Sequence, residues 1–203
     1  MKRSLITSAL LITLFTQVAI AADANGKFAA KGAATRSCEK FSEDYTSKNQ
    51  DYYLYGGWLE GYITGFNSFQ SNTYDITPWQ SVELLLGIIH RECKNKASHR
   101  FIEVANSVIQ TVAPLRLTSA SELEQITYNG QVSYHYAKVL LDMYERLHGM
   151  GYLAESLSNE PAFTQAHSDA LIAYQKARDI TPTGFPDQMT LLSIFYKIRS
   201  PEG

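Results

Sequence analysis

The sequence predicts an all-α fold, a disulfide-stapled four-helix domain followed by a three-helix domain. Three observations carry this expectation. Apolar residues recur at helical spacing in seven stretches. Proline, glycine and helix-capping residues fall between those stretches. Two cysteines, Cys38 and Cys93, bracket the first three of them.

Residues 1–21 read as a secretory signal peptide. Lys2 and Arg3 open it, an almost uncharged apolar run extends from Leu5 to Ile20, and Ala19-Ile20-Ala21 supplies small residues at the cleavage site. The competing reading, a membrane anchor, is disfavoured because the run is shorter than the ~20 residues a spanning helix needs. Periplasmic localisation follows as the expectation. Residues 22–36 are small and polar and read as a flexible lead-in.

A first helix is expected from near Ser37 through Phe41 and Tyr45, and a second from about Asp51 to Phe69. In the second, Gly57, Gly61 and Gly65 recur every fourth residue, although glycine costs roughly 1 kcal/mol in a helix interior. Glu60 and Asn67 interrupt the segment, so it is not a membrane-dimer motif. The expected role is a smooth strip against which the third or fourth helix packs closely. Thr77-Pro78-Trp79-Gln80 resembles a capped helix start, with Thr77 as cap, Pro78 at the first position and Gln80 completing a capping box. That third helix runs to Cys93. A fourth begins near Ser98, with Phe101, Val104, Ala105, Val108, Ile109 and Val112 on one face, and ends at Pro114. Residues 37–114 thus form the first domain. Residues 115–131 read as a linker with a turn at Asn129-Gly130 and a short helix at Ser121–Gln125. The second domain, 132–198, has one helix bearing Val139, Leu140, Met143, Tyr144 and Leu147. A second runs from about Thr164 to Arg178, and a last one from Pro186 to about Lys197.

The whole chain carries a net charge of −2, and loss of Lys2 and Arg3 with the leader makes it −4. An acidic chain is a poor partner for nucleic acid, whose phosphates require a basic face. In an exported chain two cysteines most simply form one disulfide. Closing a loop of roughly 56 residues is worth about 4 kcal/mol in the chain-entropy model. The alternative, a metal site from His90, Cys93 and His99, lacks paired-ligand spacing. No cofactor and no metal are expected.

The second domain carries a specific likeness. Leu147 with Gly151 and Tyr152, then Ala170, Leu171, Tyr174 and Gln175, then Thr183, Gly184, Asp187, Thr190 and Leu191, resemble the peptidoglycan-binding-like domain found beside many cell-wall hydrolases. The likeness covers residues 138–197. It implies a three-helix module and a ligand surface of glycan or stem-peptide type, formed by Tyr152, Tyr174, Gln175 and Asp187. The family's Asp-Gly-x-aromatic-Gly turn is replaced here by "ESLSNEPAFTQAH". Independently of the likeness, Gly184 suits a positive-φ turn, and Thr190, Leu191 and Ile194 are spaced to pack under Leu171 and Tyr174.

The first domain is similar to small periplasmic helical proteins with one disulfide. Gly61, Tyr62, Gly65, Pro78 and Cys93 carry a resemblance to the Tai-type immunity family, which neutralises peptidoglycan-targeting effectors. The small acid-stress periplasmic chaperones are a second such group. Trp58, Tyr62 and Trp79 are the candidate partner surface.

A catalytic centre is not evident. Glu60, between Trp58 and Tyr62, resembles a general acid of glycan cleavage but has no second carboxylate at a recognisable spacing. No Gly-x-Ser-x-Gly elbow occurs, and His135, His148 and His167 are scattered. The expected function is a non-catalytic exported binding protein that associates with peptidoglycan through its C-terminal module and with a protein partner through its N-terminal helices. The alternatives are an immunity or inhibitor protein against a wall-degrading toxin and a cryptic peptidoglycan hydrolase.

Overall fold

A computed structural model describes residues 23, 25, 27–128 and 130–196. The expected signal peptide, residues 1–21, lies outside them. Seven α-helices and one two-stranded antiparallel sheet make up the described fold. The described residues from Lys31 onward group as one compact unit.

Helices α1 (Cys38–Ser47), α2 (Gln50–Phe69), α3 (Val82–Cys93) and α4 (Phe101–Val112) build the first half. Ser37 caps α1 by accepting from Lys40 N, and Asn49 caps α2 by accepting from Tyr52 N. Lys48 adopts φ 50° and reverses the chain between them. The core holds Phe41, Tyr55, Leu59, Leu85, Ile89 and Phe101, all fully buried. Phe41 meets Tyr55 and Phe101 edge-to-face at 4.8 and 4.7 Å. Cys38 and Cys93 are joined, which ties the start of α1 to the end of α3.

The supposed lead-in is partly integral to this core. Gly32–Thr35 forms a 3-10 turn with Ala33 and Ala34 buried, and Arg36 pairs with Asp51 at 3.0 Å. Small side chains let that turn lie close to α2 and α4.

In this half two helix starts differ from expectation. Helix α3 begins at Val82, capped by Ser81, and not at Thr77-Pro78. The proposed capping residues are engaged elsewhere: the Thr77 N–H donates to Asp75, and the Gln80 side chain donates to the Tyr196 hydroxyl. Helix α4 begins at Phe101 rather than Ser98, with Glu103 reaching back to the Arg100 N–H at 3.0 Å.

The all-α expectation is corrected between residues 115 and 136. Strand β1 (Leu123–Tyr128) pairs with β2 (Gln131–Tyr136) where a linker and a short helix were expected. Period-two alternation explains it: Leu123, Gln125 and Thr127 face out, and Ile126 is buried in the core of the second half. Gly130 supplies the positive φ of the turn.

Helices α5 (Ala137–Gly149), α6 (Gln165–Ala177) and α7 (Gln188–Tyr196) complete the fold. Their core contains Leu140, Met143, Leu147, Leu171, Tyr174 and Leu191, with Trp79 from the segment ahead of α3. The two halves interlock there. The Gln188 side chain donates to the Trp79 carbonyl (2.6 Å) and accepts from the Ser81 N–H (2.9 Å). No helix among the described residues is long and apolar enough to cross a membrane.

Candidate functional site

The polar residues of the wall-binding pattern converge on the turn between α6 and α7. Gln175 is fully buried and spends its side-chain amide inside the protein. Its two N–H groups donate to Thr183 Oγ1 (2.9 Å) and Thr190 Oγ1 (2.8 Å), one of them shared with the Phe185 carbonyl (3.2 Å), and its oxygen accepts from the Gly184 N–H (2.9 Å). Asp187 is the cap of α7: one carboxylate oxygen accepts from the Thr190 N–H and the other from the Thr183 hydroxyl. The helix therefore starts at Gln188, two residues beyond Pro186. Gly184 has φ 65°, and a Cβ there would sit 2.4 Å from Ser168 Oγ and 3.0 Å from Ile172 Cγ1. Only glycine meets both the backbone and the packing requirement.

Tyr174 is also fully buried, with its hydroxyl 2.8 Å from Ser193 Oγ and its ring edge-on to Tyr152 at 5.4 Å. The expected ligand surface is thus divided. Tyr174 and Gln175 offer nothing to an external ligand in this conformation, because their polar atoms are matched internally. Tyr152 and Asp187 are half-buried and reach the surface. A buried polar cluster of this kind must be fully hydrogen-bonded, and that requirement accounts for the pattern.

The segment "ESLSNEPAFTQAH" is held by His167. Its Nδ1 accepts from the Thr164 N–H (3.1 Å), so Nε2 carries the proton and donates to the Leu157 carbonyl (2.9 Å). Tyr144 lies against the ring at 4.2 Å. His148 closes the other end, with Nδ1 2.9 Å from the Leu153 carbonyl.

On α2, Trp58 and Tyr62 stack at 4.9 Å and Tyr62 meets Phe66 edge-on at 5.2 Å. Both Trp58 and Tyr62 are half-buried, and the Tyr62 hydroxyl donates to Asn106. The expected close packing on Gly57, Gly61 and Gly65 does not occur: a Cβ at any of the three would meet nothing within 4 Å. The glycine that α3 approaches is Gly56, where a Cβ would lie 3.6 Å from Val82 Cγ1. The strip is instead a bare surface, flanked by exposed Tyr53 and Leu54. Glu60 is exposed on it. Trp79, the third candidate partner residue, is buried and stacked on Phe195 at 5.4 Å. It belongs to the core because Gln188 holds its backbone.

Beneath α1 lies a buried ionic cluster that sequence reading missed. Asp44 is fully buried and accepts from Lys40 Nζ (2.8 Å), Asn49 Nδ2 (2.7 Å) and the Tyr55 hydroxyl (3.3 Å). Burial alone would raise its pKa, but the Lys40 and Asn49 hydrogen bonds and the Lys40 charge outweigh that and hold it below the usual carboxylate range. On α3, His90 stacks on Tyr45 at 4.2 Å, and burial with the charges of Lys94 and Lys48 lowers its pKa. Its metal-site companion was Cys93, whose sulfur is committed to the disulfide. Among the described residues no three His, Cys, Asp or Glu side chains are grouped to hold a metal ion.

No protein-family model matches the chain, and no curated protein or solved structure does so either.

Proposed function

We propose that the chain is an exported, non-catalytic binding protein that associates with peptidoglycan through α5–α7 and engages a protein partner through its disulfide-bonded N-terminal helices. The observation that carries this reading is the interlock of Gln175, Thr183, Gly184, Asp187 and Thr190. These are the residues quoted for the wall-binding resemblance, and they act as one frame in a three-helix arrangement. Wall contact would fall to the surface beside that frame, at Tyr152 and Asp187, rather than to Tyr174 and Gln175. The disulfide is compatible with an oxidising compartment such as the periplasm. Sedimentation of the full chain with purified peptidoglycan sacculi tests the reading. Saturable retention in the pellet is expected, and complete recovery in the supernatant would sink it.

A second reading, inhibition of a wall-degrading toxin, is favoured by the bare α2 strip. Exposed Tyr53 and Leu54 beside Gly57 and Gly61 give a partner helix or loop direct access to the α2 backbone. Protection of sacculi from a wall-lytic enzyme by the full chain, abolished in Gly57→Arg/Gly61→Arg, is the expected result. Unimpeded lysis at saturating chain counts against it.

A further inference from the structure

Where Trp79, the 114–121 loop, the start of α5 and the end of α7 meet, they enclose a cavity of about 420 Å³. Its size falls within the range of small-molecule sites, and its place between two packed halves is where such sites occur. One side of the wall is apolar and fixed: Trp79, Leu117, Val139 and Phe195 are all at least nine-tenths buried, while Thr118, Ser119 and Ser121 make the opposite lining polar. The cavity edge carries charge. Lys138 and Asp142, one turn apart on α5, line it as an ion pair, with side chains 58% and 36% exposed.

Each part of this lining narrows the ligand. The exposed Lys138–Asp142 pair contributes little to stability. It is therefore free to exchange partners with a ligand that brings both charges. The other positive groups are tethered to backbone carbonyls or already hydrogen-bonded, and the Arg116 charge adds to the attraction for an anion. Arg116 donates Nε to the Asn72 carbonyl (3.1 Å) and a terminal nitrogen to the Ala113 carbonyl (3.2 Å). At the α5 N-terminus, the Ala137 N–H donates to the Glu122 carbonyl (2.8 Å) and the Lys138 N–H to Ser121 Oγ (3.1 Å). An anionic group meets the Lys138 ammonium, with the Arg116 charge nearby, and a cationic one meets the Asp142 carboxylate.

The aromatic wall excludes a flat sugar. Phe195 is stacked by Trp79 and also carries the Arg146 guanidinium at 5.0 Å, and Trp79 is flanked by Tyr196 at 6.0 Å. Ring edges, not open faces, are what remain, and they suit an aliphatic chain. The Trp79 indole N–H is buried without a hydrogen-bond partner.

We propose that this cavity binds an α-amino-α-carboxylate head group bearing an aliphatic chain. The carboxylate pairs with Lys138, the ammonium pairs with Asp142, and the chain packs on Trp79, Val139 and Phe195. A free aliphatic amino acid has this chemistry. So has the free side-chain end of a diaminopimelate residue in a wall stem peptide. The inference goes beyond the wall-binding reading and does not depend on it.

The chain has two tryptophans, so Trp58→Phe in the full chain leaves Trp79 as the sole reporter. Its fluorescence is titrated with L-leucine, meso-diaminopimelate, N-acetyl-leucine amide and N-acetylglucosamine. A saturable change with leucine or diaminopimelate is expected, with none from the blocked leucine or the sugar. The tighter of the two zwitterions identifies the source. The surface changes Lys138→Met/Asp142→Asn are expected to weaken the response at least tenfold while leaving the circular dichroism and Tm at parent values. The proposal is overturned by no saturable response to either zwitterion. An equal response to blocked leucine, or undiminished affinity in the double variant, overturns it as well.

Discussion

Gln175 holds the turn ahead of α7 with four hydrogen bonds from one side chain, and Gly184 closes the same turn against Ser168. Gln175→Leu leaves the Gly184 N–H and the Thr190 hydroxyl without their partner, so a loss of about 2–3 kcal/mol is expected by urea denaturation. Gly184→Ala adds left-handed backbone strain to a clash, for a loss of about 3 kcal/mol. Wild-type stability in either variant would contradict the buried-frame assignment. The pattern of these residues was legible in the sequence, but their role was not. A glutamine that contacts ligand and one that braces a buried turn are the same letter, and burial separates them. Acid response also belongs at this scale. The Asp44 pKa lies below its unfolded value, so its contribution is present above about pH 3.9 and is lost as pH falls through the lowered native value. His90 is depressed below about 6.5, so the native state favours the neutral ring and loses stability as pH falls below that point. Stability should therefore decline on acidification in two windows. His90→Gln should flatten the upper window and Asp44→Asn the lower one, as read from Tm against pH.

At the scale of elements, the helices were legible because each has an apolar stripe and several have a local cap. Ser37 at α1 and Thr164 at α6 stand where the sequence puts them. The misread starts lie where tertiary contacts override local signals. Thr77-Pro78 has the chemistry of a helix start, yet Gln188 and Tyr196, more than a hundred residues away, hold residues 79–81 out of the helix. The hairpin was signalled by Asn129-Gly130 between "LEQITY" and "QVSYHY", but so short a polar alternation is outweighed by its helical neighbours. Ile126 anchors it, and Ile126→Ala should cost about 2–4 kcal/mol. The glycines of α2 were legible as a stripe, but sequence does not tell an approached stripe from an open one. The disulfide was legible from two cysteines alone. Its removal in Cys38→Ala/Cys93→Ala should cost about 2–5 kcal/mol, measured as a drop in urea midpoint.

At the scale of the molecule, the segment ahead of α3 packs into the core of α5–α7, so the two halves share core residues. Trp79 precedes α3 of the first half yet stacks on Phe195 of α7, and Gln80 and Ser81 are bonded to Tyr196 and Gln188. Helices α5–α7 are therefore supported by residues that a cut near position 131 would remove, and wall-binding experiments belong on the full chain. Gln188→Ala leaves the Trp79 carbonyl and Ser81 N–H unpaired at this junction and should cost about 2 kcal/mol. The most direct measurement is urea unfolding of Trp58→Phe, followed in parallel by Trp79 fluorescence and by far-ultraviolet circular dichroism. One compact unit predicts a single transition with coincident midpoints by both probes. Two separated midpoints, with half the helical signal lost while Trp79 remains buried, would contradict the shared core.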